Sequence, residues 1–264
     1  MAPIITLLTD FGIEDGYVAS MKGVILGICP GASLVDISHM IPPQDVRAGA
    51  YVMFTAYKYF PAGTVHLAVV DPGVGTERRA LVLKAGGQYF VGPDNGLFSL
   101  VLKACPDWSA RSLENSAYWR SEISNTFHGR DIFAPAAAHL ARGLPIESLG
   151  PPSGVVTPPW GSIIQSKNSL RGQVMHIDHF GNIISNFNRA EIERFAAAER
   201  LSITLGSHSV NRFANTYGEV EAGKLLFLFG SSGYLEVAMN QGDAAEALGV
   251  RTGDPAVVHF HGSS

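Results

Sequence analysis

The chain has 264 residues, with 19 Lys and Arg against 23 Asp and Glu for a formal charge of -4, and only 16% charged residues, where about 25% is usual. A mildly acidic chain without a Lys or Arg cluster lacks the electrostatic footprint of a general nucleic-acid binder. Its apolar runs, such as Leu225 to Phe229 and Val65 to Val70, fall far short of the ~20 residues that span a bilayer, so neither nucleic acid nor membrane is expected as a partner.

The N-terminus runs from Met1, Ala2 and Pro3 straight into Ile4 to Thr9 without the basic flank and cleavage site of a signal peptide, and a cytoplasmic address is expected. Short β-branched runs then alternate with helical patterns: Ile4 to Thr9 with Tyr17 to Ile28, Leu34 to Ile37 with Val46 to Phe60, then Thr64 to Val70. That alternation predicts a mainly parallel sheet covered by helices. Ala80 to Ala85 and Gln88 to Val91, split by Gly86 and Gly87, read as a hairpin, and Leu97 to Ala104 and Ile132 to Arg142 as helices. Cys29 and Cys105 sit in apolar helix-like runs without metal-ligand spacing and read as free thiols.

The stretch LGPPSGVVTPPWG, Leu149 to Gly161, cannot continue a helix or a central strand. It divides the chain into an α/β N-terminal domain over 1–155, a Pro/Gly-rich linker over 156–168 and a C-terminal domain over 169–264. In the last of these, Gly172 to Ile177, Leu201 to Leu205, Lys224 to Phe229, Tyr234 to Ala238 and Ala256 to Phe260 read as strands and Arg189 to Arg200 as a helix. The expected fold there is a small all-β barrel.

The first strand ends in TDFG, which places Asp10 at a strand's carboxyl end, where ligands of open α/β sheets bind and a carboxylate can take both hydroxyls of a ribose. Asp15, near the next helix start, reads equally as an N-cap. The strand TVHLAVV ends the same way at Asp71, followed by PGVGTERRA. Two such carboxyl ends and a turn with Gly73 and Gly75 suggest one shared pocket. Arg78 and Arg79 are equally placed by spacing to pair with Asp71. In NTFHGRDIFAP, His128 stands at a helix entrance, where a histidine can act as base or donor at neutral pH; His39, His66, His139, His176 and His179 have less to recommend them. No HxH, HExxH or Cys/His set appears, so no metal is expected. Asp178 and Asn182 in HIDHFGN are explained by turn chemistry alone, and GSSGY, Gly230 to Tyr234, is a turn able to present amides to a carboxylate.

Taken together, TDFGIEDGYVASMKGVI, DPGVGTERR, PDNGL, FHGRDIFAPAAAHLA, IDHFGN and SSGYLEVA resemble, in order and over nearly the whole chain, the S-adenosylmethionine hydroxide adenosyltransferases. These are hydrolytic relatives of the adenosyl fluorinases and chlorinases. The resemblance implies an α/β domain, a β-barrel domain and a homotrimer with inter-subunit active sites. It also implies an enzyme that hydrolyses S-adenosyl-L-methionine to adenosine and L-methionine, without a cofactor, by attack of water or hydroxide at C5′. The family's Asp, Arg and His set falls on Asp71, Arg78 and His128, which breaks the tie with Arg79, and its ribose-binding Asp falls on Asp10. Asp178 and Asn182 match the residues that hold the methionine ammonium and the adenine edge. Phe127 and Tyr217 match the aromatic packing near the base, and Ser231 and Ser232 the methionine carboxylate site.

Some positions depart from the halogenating relatives. Those have Tyr at Asp71 and Ser at Gly129, and the fluorinating ones carry an extra loop, so halide use is disfavoured. Their tryptophan over the ribose is Gln44 here, and their carboxylate-binding Arg is Ser232. A binding or sensing protein with negligible turnover, and a nucleotide hydrolase with a metal bridged by Asp10 and Asp71, are the rival readings.

Overall fold

Apolar runs too short for helices, separated by segments with apolar residues at helical spacing, order the first part of the chain into alternating strands and helices. The computed structural model describes residues 2–195 and 200–261, and the chain divides into two units, Met1–Pro158 and Pro159–Ser264. The first holds β1 (Ile4–Thr9), α1 (Tyr17–Ile28), β2 (Ser33–Ser38), α2 (Val46–Tyr57), β3 (Val65–Val69), β4 (Ala80–Ala85), β5 (Gln88–Pro93), α3 (Ser99–Ala104), β6 (Trp108–Ser112) and α4 (Ala134–Ala141). A π-helical turn, Gly129–Phe133, leads into α4.

The sheet order is β2-β1-β3-β5-β4-β6. Its strands pair in parallel from β2 through β1 and β3 to β5, as the alternation predicts. The Gly86–Gly87 turn, with φ of +56° and +76°, folds β4 antiparallel onto β5, and β6 is antiparallel to β4. The sheet is therefore mixed. Alternation of side chains along each strand sends Ile5, Leu7, Val65 and Leu67 against Met21 and Ile25 of α1 and the alanines of α4. Leu8, Ala68, Leu83 and Phe90 pack on the opposite face with Met53 of α2 and Val101 of α3. Both faces are covered, which is why the strands read as nearly continuous apolar runs. Asp45 caps α2 by accepting from Ala48 N at 2.9 Å. Asp15 caps nothing: Gly16 occupies the N-cap of α1, which has no side-chain cap.

His66, fully buried on β3, bonds Thr6 Oγ1 through Nδ1 at 2.8 Å and Gln88 Oε1 through Nε2 at 3.3 Å. Burial pushes its pKa down to about 4 from 6.5. An unfolded ring protonates below pH 6.5 while the folded ring resists until about pH 4, so stability present above pH 6.5 is lost as the pH falls through this window. The loss amounts to roughly 3 kcal/mol. Urea unfolding between pH 7 and 4 should show this slope in the wild type and a shallower one in His66→Gln.

The second unit holds β7 (Ile164–Ser166), β8 (Ser169–Ile177), β9 (Ile183–Asn188), α5 (Arg189–Phe195), β10 (Arg200–Leu205), β11 (His208–Val210), β12 (Leu225–Phe229), β13 (Tyr234–Met239), α6 (Ala244–Leu248) and β14 (Pro255–His261). Among the described residues its eight strands form one antiparallel sheet in the order β11-β10-β14-β8-β9-β13-β12, with β7 on β8. Register shifts in the β8–β9 and β13–β9 ladders mark irregularities of the kind that bend a sheet. Past β11 the chain reaches the far edge, where Phe227 N donates to Arg212 O at 2.9 Å and Ala214 N to Phe227 O at 3.0 Å. The sheet is thus barrel-like and nearly closed, which leaves little open edge, and it carries the short helices α5 and α6 besides its strands. The helix expected over Arg189 to Arg200 is formed to Phe195, residues 196–199 lie outside the described residues, and Arg200 belongs not to a helix but to the start of β10, paired with His261 of β14. Cys29 and Cys105 are free thiols. No helix among the described residues is long and apolar enough to cross a membrane.

Candidate functional site

Because β1 and β3 are parallel neighbours with Thr9 opposite Val69, their carboxyl ends open at one edge of the sheet. Asp10 and Asp71 line the same cleft of about 390 Å³, together with Phe11, Tyr17, Gln44, Phe127 and His128. After Asp71 the chain makes tight turns, Val74 N donating to Asp71 O and Thr76 N to Gly73 O, both at 3.2 Å. These return Arg78 to the side of Asp71.

The guanidinium of Arg78 grips Asp71 with both prongs, Nε to Oδ1 at 3.0 Å and Nη2 to Oδ2 at 2.5 Å. The two side chains are only 8% and 5% exposed. Arg79, the other candidate, bonds Asp94 instead. Consecutive residues at a strand entrance point to opposite faces, so only one of the pair can reach Asp71.

Arg78 Nη2 also meets His128 Nδ1 at 3.2 Å. Arginine can only donate, so Nδ1 is the acceptor and the neutral ring carries its proton on Nε2. Burial and the Arg78 charge push the His128 pKa below its ordinary value, against opposing pulls from Asp71 and Asp131. The ring is therefore neutral at neutral pH. Asp131, fully buried, fixes the segment that carries His128 by accepting from Arg120 Nη1 at 3.0 Å, Ser124 N at 2.8 Å and Arg130 Nε at 2.7 Å.

Asp10 Oδ2 accepts from Gln44 N at 2.8 Å. Gln44 itself stands in the left-handed region, φ +65°, a conformation that costs a non-glycine residue energy and clusters at functional sites. Phe11, Tyr17 and Phe127 pack edge to face with ring centres 5.3 to 5.9 Å apart. Neither Phe11 nor Tyr17 was singled out by the sequence. Their only signal was two aromatics flanking the Asp10 turn.

Within the second unit, Asp178 and Asn182 do come together. Asp178 Oδ1 accepts from Phe180 N and Asn182 N, and Oδ2 from Asn182 Nδ2, each at 2.9 Å. Gly181 turns the chain with φ +78°, and a side chain there would overlap the Asp243 carboxyl. Ser231 and Ser232 stand in the turn between β12 and β13, closed by Gly230 N to Tyr234 O at 3.0 Å. Tyr217 is half exposed, and its hydroxyl donates to Glu236 Oε1 at 2.7 Å.

Glu236 is a buried acid that sequence reasoning missed. Burial raises its pKa, the Tyr217 bond opposes that, and the Asp178 charge adds to the rise. Its signal was one acid inside the apolar run YLEVAM. Two groups of the expected residues thus exist, Asp10, Asp71, Arg78, Phe127 and His128 in the first unit, and Asp178, Asn182 and Tyr217 about Glu236 in the second. Among the described residues, no group of three or more His, Cys, Asp or Glu is placed to hold a metal ion.

Two family models match the chain, one within each unit. The one described as the SAM hydroxide adenosyltransferase N-terminal domain matches residues 5–150, and its C-terminal counterpart matches residues 172–257. A Thermus thermophilus protein named (R)-S-adenosyl-L-methionine hydrolase is 45% identical, covering 94% of this chain and 96% of its own. A crystal structure of an uncharacterized conserved protein from Thermotoga maritima superposes with a TM-score of 0.89 at 37% identity, covering 97% of this chain and 99% of that one. More distantly, a protein of an Actinoplanes species named Fluorinase is 29% identical over 95% of both chains.

Proposed function

The chain belongs to the SAM hydroxide adenosyltransferase family, and from that premise we propose that it hydrolyses S-adenosyl-L-methionine to adenosine and L-methionine through the Asp71, Arg78 and His128 cluster. The observation that carries the site assignment is the buried, two-pronged Arg78–Asp71 pair with His128 on the same guanidinium, at the strand edge where Asp10 also stands.

In this reading an oxygen of water or hydroxide forms a bond to C5′ while the C5′–S⁺ bond breaks. The bonding pair goes to sulfur, and methionine leaves as a neutral thioether that needs no general acid. The difficulty lies in the nucleophile. His128, with Nδ1 turned to Arg78, offers its Nε2–H to orient the attacking oxygen. Asp71 is the acceptor for the proton that oxygen sheds, since each of its oxygens keeps a lone pair beyond its bond to Arg78. In-line positioning supplies several kcal/mol and base assistance a further ~10²–10⁴-fold. Attack of hydroxide on a sulfonium neutralises opposite charges, and a cleft that excludes water favours that step.

Asp10, fixed by Gln44 N, takes the ribose hydroxyls, and Phe127 with its two aromatic neighbours packs near the base. Asp178 and Asn182 hold the ammonium and the adenine edge, Tyr217 packs near the base, and Ser231 and Ser232 meet the carboxylate. A cytoplasmic homotrimer, in which a neighbouring subunit supplies that second group, is the assembly this reading implies. Halide is disfavoured as nucleophile: Gly129 offers no hydroxyl to a halide, and a side chain there would come within 3.3 to 3.4 Å of Met21, Phe11 and Phe127.

Incubation with S-adenosyl-L-methionine in ¹⁸O-water tests the proposal. Adenosine carrying the label at its 5′ oxygen is the expected product. Unlabelled adenosine would remove water as nucleophile, and retained adenosine without turnover would make the protein a binder rather than a hydrolase.

A further inference from the structure

The PDNG segment, Pro93 to Gly96, does not line the cleft, yet it holds both ends of the loop that carries Asp71 and Arg78. At the first end Asn95 Nδ2 donates to the carbonyl of Val70 at 2.8 Å, the residue immediately before Asp71. Asn95 Oδ1 accepts from Leu97 N at 3.2 Å, which orients the amide so that its donor faces Val70.

At the second end Asp94 N donates to Arg79 O at 2.9 Å. The Asp94 carboxylate takes the Arg79 guanidinium on Oδ2, from Nε at 3.0 Å and Nη2 at 2.5 Å. Its Oδ1 accepts from Val156 N at 2.7 Å. The Asp94 side chain is 1% exposed and that of Arg79 is 51% exposed. The carboxylate is thus the fixed partner, and the guanidinium is tied down to it. Two consecutive residues therefore grip positions 70 and 79, on either side of the Asp71–Arg78 pair.

We infer that Asp94 and Asn95 are positioning residues that clamp the two ends of the 71–79 loop and so hold Asp71 and Arg78 in register. The inference rests on the function proposed above. The clamp also occupies Arg79, so that a single guanidinium, that of Arg78, meets the Asp71 carboxylate. Neither residue touches substrate; each acts through the backbone of the loop.

Asn95→Asp isolates one half of the clamp. It keeps the acceptor for Leu97 N, removes the donor to Val70 and sets a carboxylate against a carbonyl. The expected result is a fall in kcat of roughly 10- to 100-fold, since sub-ångström to ångström misplacement of reacting groups costs that much. KM for S-adenosyl-L-methionine should stay within about twofold, because the substrate-binding groups are untouched. Hydrogen exchange followed by mass spectrometry should show faster exchange across 71–79, with β1 unchanged.

Arg79→Lys, at a half-exposed position, loses the two-pronged grip on Asp94 and provides a second variant if the first folds poorly. It should give the same split with a smaller fall. Wild-type kcat per folded molecule in both variants, or unchanged exchange of the loop, overturns the inference. If the wild type itself releases no adenosine, the functional reading falls, and loop exchange alone still decides whether the clamp exists.

Discussion

Asp71→Ala should leave less than about one thousandth of the wild-type rate of adenosine formation, a loss of about 4 kcal/mol in transition-state stabilisation. Two effects combine. The substitution removes the acceptor for the proton of the attacking water. It also strands a guanidinium that is 8% exposed and that held both Asp71 oxygens and His128 Nδ1. Breaking a buried ion pair from one side costs about 3–5 kcal/mol of stability, so the variant should also melt at a lower temperature. Asp71→Asn separates these effects. It keeps an acceptor for one guanidinium prong and much of the packing, so it should recover part of the lost stability while remaining nearly inactive. Turnover should therefore be measured per folded molecule, with the melting point followed in parallel. An alanine variant that retains more than about a tenth of wild-type kcat would remove Asp71 from the chemistry, since general-base assistance alone is worth ~10²–10⁴-fold.

Much of the first unit was legible because its signals are local. A β-branched run ending in Asp marks a strand's carboxyl end, and two such runs joined by helical segments place those ends at one edge of a parallel sheet. Asp10 and Asp71 followed from that logic and do line one cleft. Arg78 against Arg79 could not be settled by spacing, because the choice depends on the phase at which the 73–76 turns deliver the chain to β4. That phase is set by hydrogen bonds such as Thr76 N to Gly73 O. The hairpin at Gly86–Gly87 was readable, but its consequence, a mixed sheet, was not. Trp108–Ser112 is half polar and carries no β-branched residue, so it becomes a strand only because β4 offers it a partner. Glu236 was hidden for the opposite reason. Its local context is apolar, and its partner Tyr217 is supplied from a segment distant in sequence.

Gly75→Ala should uncouple the two segments that meet at the cluster. Gly75 adopts φ +76°, and a Cβ there would overlap the backbone carbonyl of Asn125. The glycine therefore seats the loop bearing Asp71 and Arg78 directly against the segment that leads to His128. An alanine in the left-handed region costs about 1–2 kcal/mol by itself, and the overlap with a backbone atom cannot be relieved by a side-chain rotation. One of the two segments must shift, and that shift lengthens the 3.2 Å contact between Arg78 and His128. The expected outcome is a stability loss of roughly 2–4 kcal/mol, made up of left-handed strain and displaced packing, with kcat lowered about 10²-fold because the donors no longer converge on one point. Gly206→Ala provides the control: Gly206 has φ +57° but nothing within 4 Å of the added methyl, so it carries the strain without the overlap. Gly206→Ala should lose only about 1–2 kcal/mol and keep wild-type kcat. If Gly75→Ala behaves the same way, the two segments are not coupled through this glycine, and the contact between Arg78 and His128 is held by the Asp131 network alone.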